Sequence, residues 1–173
     1  MKTILVTGGA GFIGSHVCEQ LLKKNFVICV DNFNDYYNSK LKENNIKHLL
    51  KDKNFELHKI DILDKEKLHK LFQSHKIDAI VHLAARAGVR PSLQNPKLYH
   101  DVNVTGTLNL LELAKEFNIK TFIFGSSSSV YGTNKKVPFS EADSLKNMIS
   151  PYAVTKSEGE KLCEEYSKKP VLA

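Results

Sequence analysis

Five short apolar runs, at residues 3–6, 26–30, 55–60, 79–83 and 121–124, punctuate the chain. Between them lie longer stretches in which apolar positions recur at helical spacing, roughly at residues 12–24, 39–51, 65–75, 96–117 and 152–168. This alternation predicts an α/β fold, a doubly wound parallel sheet with helices on its faces. In the fourth helical stretch Val104, Leu108, Leu111 and Leu113 form a surface wider than one stripe, the pattern of a helix packed on both sheet and neighbour. No internal repeat is present. The single low-complexity element, the serine run 126–129, follows the strand pattern TFIF directly and precedes Val130, Tyr131 and Gly132. It therefore falls at the carboxyl end of a parallel strand, where ligands bind in such sheets.

Composition narrows the class. A chain of 173 residues suits one domain, spanning 1–173, with a sizeable core. Its 42% hydrophobic and 25% charged content is that of a soluble protein, and no apolar stretch approaches the ~20 residues of a membrane span, so no membrane partner is expected. A strand pattern beginning at Lys2 leaves no room for a signal peptide, which places the expected location in the cytoplasm. Cys18, Cys29 and Cys163 are far apart and odd in number, so they read as buried or inert thiols. The histidines lack metal-binding spacing, and His82 at a strand end reads as packing or local hydrogen bonding. No metal is implied. The net charge of +6 comes from lysines scattered along helices, not clustered with aromatics, so no nucleic-acid partner is expected.

Candidate chemistry begins at the first strand-to-helix turn. Gly8, Gly11 and Gly14 stand at Gly-x-x-Gly-x-x-Gly spacing: Gly8 for the tight turn, Gly11 for close approach of a pyrophosphate, Gly14 for helix packing. Alone, such a turn is also simply a turn. The second strand, however, ends in Asp31, at about the 20-residue offset where a carboxylate can accept hydrogen bonds from the adenosine ribose and repel a 2′-phosphate. NAD is expected over NADP, which gives a Rossmann-type domain. Asp61, after the third strand, reads alone as a helix cap. Tyr152 and Lys156 form Tyr-x-x-x-Lys, one turn apart on a single helix face. The ammonium and a positive nicotinamide would favour the tyrosine phenolate, the form that acts as a general base. The pair alone also fits an ordinary surface helix; beside the glycine turn, Asp31 and the strand-end serines it reads as a catalytic site.

The run TGGAGFIGSH at residues 7–16, with these motifs, resembles the extended branch of the short-chain dehydrogenase/reductase superfamily, the NAD-dependent epimerases and dehydratases. HLAARAGVRPSLQNP at 82–96, DVNVTGTLNLLELA at 101–114 and DNFNDYYN at 31–38 look most like its UDP-glucuronate and UDP-glucose 4-epimerases. The resemblance implies that Tyr152, Lys156 and Ser127 are catalytic. It implies NAD contacts from Gly8, Gly11, Phe12, Ile13, Gly14, Asp31, Asn32, Asp61, Ile62, Leu83, Ala84, Ala85 and Asn103, with Tyr152 and Lys156 also touching the cofactor. Ser127 and Ser128, with Ser126, would line the sugar pocket. Arg90 and Arg86 are candidates for phosphate or sugar-carboxylate contact, although both also read as surface arginines. Sugar-nucleotide dehydratases carry Thr-Asp-Glu before Val-Tyr-Gly, and decarboxylases a glutamate; Ser127, Ser128 and Ser129 stand here, so an epimerase fits better.

In that family the helix at 96–117 and the helix bearing Tyr152 form a homodimer interface, and members are about twice this length. The resemblance thus implies a missing C-terminal substrate domain, with the chain ending where a sixth strand would start. An unprotected sheet edge predicts poor solubility or dependence on a partner. Two readings follow: the cofactor half of a nucleotide-sugar 4-epimerase, completed by a separately encoded C-terminal half, or a non-catalytic NAD-binding remnant.

Overall fold

The computed structural model describes residues 1–143, 145 and 147–168. Five strands, β1 (Thr3–Thr7), β2 (Phe26–Val30), β3 (Phe55–His58), β4 (Ala79–His82) and β5 (Thr121–Phe124), form one sheet in the order β3-β2-β1-β4-β5. Every neighbouring pair is parallel. The chain thus builds one half of the sheet outward from β1 and then returns to build the other. That reversal beside β1 opens a crevice at the carboxyl ends of the strands.

Period-two alternation sends side chains to both faces. Leu5, Ile28, Val30 and Ile80 point to one side and pack on Leu68, Leu71 and Phe72 of α3 (Lys65–Ser74) and on Leu110, Leu113 and Ala114 of α6 (Gly106–Glu116). Ile4, Val6, Val27, Cys29 and Val81 point to the other, against Cys18 of α1 (Phe12–Leu22), Ile46 of α2 (Ser39–Ile46), and Leu49 in the short turn after it. Fully buried side chains such as Leu5, Ile28 and Leu110 each contribute about 1.5–3 kcal/mol. Strand β5 is different. Phe122 and Phe124 are partly covered, but Ile123 is 54% exposed on the opposite face.

Local chemistry sets the helix ends. Asp64 caps α3 by accepting from the Lys67 N–H at 3.1 Å, and Asn118, with φ of 58°, ends α6 in the left-handed conformation that frees its last carbonyls for capping. The last helix, α7 (Pro151–Lys168), starts on a proline and is capped by Ser150, whose hydroxyl accepts from the Ala153 N–H at 3.1 Å.

Three helices depart from the pattern-based expectation. The second ends at Ile46 and is followed by a separate turn at Leu49–Lys51, because its polar sequence has no continuous apolar face to extend it. The stretch 96–117 is not one regular helix: α5 (Pro96–His100) runs through a π-helical turn at Asp101–Thr105 into α6. A further helix, α4 (Val89–Gln94), lies in what patterning left unassigned, because its six residues are too short for a periodic signal. No helix among the described residues is long and apolar enough to cross a membrane.

The glycine turn is the tightest place in the structure. Gly8 has φ of +69°, and a Cβ on Gly14 would lie 2.1 Å from the Gly8 carbonyl oxygen. Gly14→Ala must therefore displace backbone, not a flexible side chain, and should cost at least about 3 kcal/mol in urea unfolding. A loss below about 1 kcal/mol would show that the turn can shift, and that helix α1 is not locked to it.

Candidate active site

A cleft of about 410 Å³ opens at the carboxyl ends of the strands. Gly8, Gly11, Phe12, Ile13 and Gly14 line its floor, where α1 begins. The Gly8 N–H donates to the Val30 carbonyl at 2.7 Å, which fastens the turn to the end of β2 beside Asp31. Asp31 and Asn32 line the same side, Ile62, Leu83, Ala84 and Ala85 follow along the wall, and Ser126, Tyr152 and Lys156 close the far end.

Asp31 is buried and almost fully engaged. One carboxylate oxygen accepts from the Lys42 ammonium at 3.0 Å and the Phe33 N–H at 2.9 Å; the other accepts from the Ala10 N–H at 3.2 Å. A carboxylate offers about four acceptor positions, so about one remains for a ligand hydroxyl. Lys42 was not singled out in the sequence. It projects from α2 into the cleft wall, buried like its partner, and it moderates the negative field that would repel a 2′-phosphate.

At the other end Tyr152 and Lys156 share one face of α7, as their spacing requires. The Tyr152 ring meets the Tyr99 ring edge-on at 6.2 Å, and Lys156 holds its ammonium 4.1 Å from the centre of the Phe124 ring. Neither the Tyr152 hydroxyl nor the Lys156 ammonium has a hydrogen-bond partner among the described residues. Burial pushes the Lys156 ammonium down to about 8, and the nearby Cys163 and Glu160 only partly oppose it. Ser127 begins a 3-10 turn (Ser128–Tyr131), and its hydroxyl accepts from the Ser129 N–H at 3.2 Å, which leaves its own proton free to donate. Ser128 is exposed, and the Ser126 hydroxyl donates to Glu160.

Behind the cleft runs a continuous series of buried hydrogen bonds whose direction is fixed by proton count. The Thr107 hydroxyl donates its one proton to the Asn103 carbonyl at 2.6 Å, so it must accept from His82 Nε2 at 2.9 Å. Burial, reinforced by the charge on Lys156, drives His82 down to about 3, so the ring is neutral and its Nδ1 accepts from the Thr7 hydroxyl at 2.6 Å. Thr7 in turn accepts from the Ala84 N–H at 3.3 Å. From Asn103 the series continues through its side chain. The amide oxygen accepts from the Arg86 N–H at 2.7 Å, and the amide nitrogen donates to the Arg86 carbonyl at 3.0 Å and to the Thr155 hydroxyl at 3.1 Å. Thr155 donates to the Tyr152 carbonyl at 2.9 Å. The π-helical turn presents Asn103 inward for this task.

The candidates separate accordingly. Asn103 is buried behind the wall, away from the cleft lining, and Asp61 stands outside it, accepting from the Asn32 side chain at 2.7 Å. Ser127 and Ser128 flank Ser126 without lining the cleft. Arg90 is exposed on α4 and does not face the cleft. Arg86 is the half-buried arginine here, 5.9 Å over the Tyr36 ring and with a buried Nε that has no hydrogen-bond partner among the described residues. Tyr36, Tyr37, Lys42 and Val102 line the cleft without having been proposed individually. Cys18 and Cys29 are buried free thiols behind the turn, and the hydrogen bond from Cys18, with burial, pushes the Cys29 thiol far up, which makes it inert. No metal ligation was expected, but Glu56, His58 and His75 are brought together at the outer edge of the sheet.

Known proteins share this fold. Residues 5–172 match the family profile described as GDP-mannose 4,6 dehydratase. The chain is 48% identical over 167 residues to a UDP-glucuronate 4-epimerase of Thermodesulfobacterium geofontis, which covers 96% of it and 51% of that protein. It is 45% identical over 165 residues to the protein CapI of Staphylococcus aureus, covering 95% of it and 49% of CapI. Among solved structures, a UDP-glucuronic acid 4-epimerase from Bacillus cereus, in complex with UDP-glucuronic acid and NAD, superimposes with a TM-score of 0.88 at 42% identity, over 96% of this chain and 52% of that one. The chain spans about half the length of these relatives.

Lys156 gives the site a pH dependence of definite sign. Its folded-state value of about 8 lies below the ordinary 10.5, so the burial penalty is fully present below about pH 8 and is relieved as pH rises toward 10.5. Lys156→Met should therefore stabilise the chain at pH 7 by up to about 3 kcal/mol, and the advantage should shrink when urea unfolding is repeated between pH 8 and 10. An advantage that is the same at both ends of that range would mean that the ammonium carries no such penalty.

Proposed function

The chain belongs to the GDP-mannose 4,6-dehydratase family of NAD-dependent epimerases and dehydratases, and on that premise we propose that it carries the cofactor-binding and proton-transfer half of a nucleotide-sugar 4-epimerase acting on a UDP-sugar of the UDP-glucuronate type. The observation that carries this reading is the meeting, in one cleft, of the glycine turn, Asp31 and the Tyr152–Lys156 face of α7. A dehydratase or decarboxylase is disfavoured. Eliminating water calls for an acid and a base beside the tyrosine, and the places where those relatives carry carboxylates are held by Ser128 and Ser129. The carboxylate of Glu160 is engaged by Ser126.

The residues present fit NAD on three counts. Gly8, Gly11 and Gly14 keep side chains off the start of α1, where free N–H groups can receive a pyrophosphate. Asp31 retains about one acceptor position for a ribose hydroxyl. Lys156 offers an ammonium with no hydrogen-bond partner among the described residues. Bound there, NAD would supply reversible oxidation at the sugar C4. The chain's own part is proton transfer and positioning. Tyr152 would take the proton of the 4-hydroxyl and return it once the sugar has presented its other face. Lys156 would hold the nicotinamide ribose and favour the tyrosine phenolate by its charge. Ser127, next to Ser126 but outside the lining, would have to turn its hydroxyl inward to share the proton relay. The partners this reading implies are the UDP-sugar and a second copy of the chain.

The test is direct. Nucleotide released on denaturing the purified chain should approach one NAD per chain, and a preparation that remains NAD-free when offered the cofactor would sink the reading. Asp31→Ala should weaken NAD binding about 10–100-fold, the loss expected for a charge-assisted hydrogen bond. Tyr152→Phe should leave NAD affinity within about twofold while abolishing any epimerisation of UDP-glucuronate; retained turnover would remove the tyrosine from the mechanism. NAD bound without turnover, even with a relative's C-terminal half supplied, would identify an NAD-binding module without catalysis.

A further inference from the structure

We propose that Glu56, His58 and His75 form a binding site for a divalent transition-metal ion of the zinc class, at the edge of the sheet and separate from the cleft. Glu56 and His58 stand two residues apart on the edge strand β3, so their side chains leave the same face. That face is the one α3 covers, and His75 is the residue on which α3 ends. The two imidazoles flank one carboxylate: His58 Nε2 lies 2.6 Å from one oxygen of Glu56, and His75 Nε2 lies 3.2 Å from the other. The three ligand atoms lie within 4.8 Å of one another, and all three side chains are half-buried.

The Nδ1 contacts of His75 fix its ring and turn Nε2 toward the carboxylate. Its Nδ1 lies 3.2 Å from the Leu71 carbonyl, which can only accept, and 2.9 Å from the Ser74 hydroxyl. Ser74 spends its own proton on the same Leu71 carbonyl, at 2.9 Å, so it too can only accept from His75. Both contacts place the ring proton on Nδ1. Nε2, 3.2 Å from a carboxylate oxygen, then needs a positive charge between the two, supplied either by a second ring proton or by a metal ion. An imidazole whose Nδ1–H is tied to a backbone carbonyl has the outer-shell support that orients metal-binding histidines.

The donor set selects the ion. Two imidazoles and one carboxylate suit zinc, cobalt, nickel or copper and not the oxygen-preferring magnesium or calcium. Tetrahedral coordination at ~2.0–2.2 Å places donor atoms about 3.3 Å apart. The His75–Glu56 separation already matches; His58 Nε2, 2.6 Å from the other Glu56 oxygen, would have to rotate outward, and the three ligand atoms, within 4.8 Å of one another, would close around the ion. His58 would bind through Nε2, its proton there moving to Nδ1 or leaving on binding. The fourth position is left to water. Sequence spacing could not show the site, because His75 lies in a different element from the other two ligands.

Zinc chloride titrated into the full chain against a chromophoric chelator tests this. One zinc per chain should bind in the micromolar range or tighter. At a hundredfold excess over Kd it should raise Tm by about 5 °C or more, because the ion joins α3 to the sheet edge. Glu56→Gln and His75→Gln should each weaken binding by more than the ~10–100-fold that loss of an outer-shell partner costs. His48→Gln, which alters a different and exposed histidine beside Glu19, should change nothing. Cobalt in place of zinc should give the visible absorption of a tetrahedral nitrogen–oxygen site. Absence of binding, or binding that survives Glu56→Gln unchanged, would overturn the proposal; the second result would mean zinc held adventitiously by surface histidines. Circular dichroism of the variants separates a lost site from a lost fold.

Discussion

The cleft depends on a single file of buried hydrogen bonds from Thr7 through His82, Thr107 and Asn103 to Thr155 and the backbone of Tyr152. Every hydroxyl in it donates once and accepts at least once, so no member can be reversed alone. The low local dielectric that strengthens these bonds also makes any orphaned partner costly, at about 1–3 kcal/mol each. The file crosses from the central strand to β4, then to the π-helical turn and to α7. It ties the glycine side of the cleft to the tyrosine side through groups that the cleft itself never exposes. The position of Tyr152 is thus fixed by its backbone carbonyl, and its hydroxyl is left uncommitted.

The two ends of the cleft carry charge in opposite ways. At the adenosine end a buried carboxylate is met by a buried lysine and two backbone N–H groups, so its desolvation is largely offset. At the Tyr152 end a lysine only 4% exposed meets an aromatic face and, among the described residues, no hydrogen-bond acceptor, so its desolvation is only partly offset. The fold is stabilised at the first end and weakened at the second. The cost falls where a ligand hydroxyl would relieve it, and a group held in that state is part of the site's readiness, not of the core's stability.

The fold was largely legible because its strands are short, apolar and separated by helical periods, and because the glycine spacing and Tyr-x-x-x-Lys are local patterns. What escaped notice depended on contacts between distant parts of the chain. Lys42 looks like any exposed lysine on a polar helix until α2 docks and Asp31 faces it. Asn103 lies within a run of good helical periodicity, and only its bonds to Arg86 and Thr155 reveal a π-helical turn in place of regular helix. Arg90 and Arg86 are four residues apart and looked equivalent; the helix starting at Val89 carries one outward, and the loop before it keeps the other against Tyr36. His82 was read correctly as a hydrogen-bonding residue because it ends an apolar strand, although nothing in sequence indicated that both its nitrogens would be used.

The aromatic side chains around the cleft have an optical consequence. The chain contains no tryptophan, and of its six tyrosines Tyr36, Tyr37 and Tyr152 line the cleft while Tyr99 stands edge-on to Tyr152. Tyr36 and Tyr99 both donate to the same Ala87 carbonyl, at 2.8 and 2.5 Å. The near-ultraviolet emission and ellipticity of this protein therefore come mainly from the walls of one cavity. Whatever enters the cavity changes the light the whole molecule gives back, so the wild-type chain carries its own reporter and needs no attached dye.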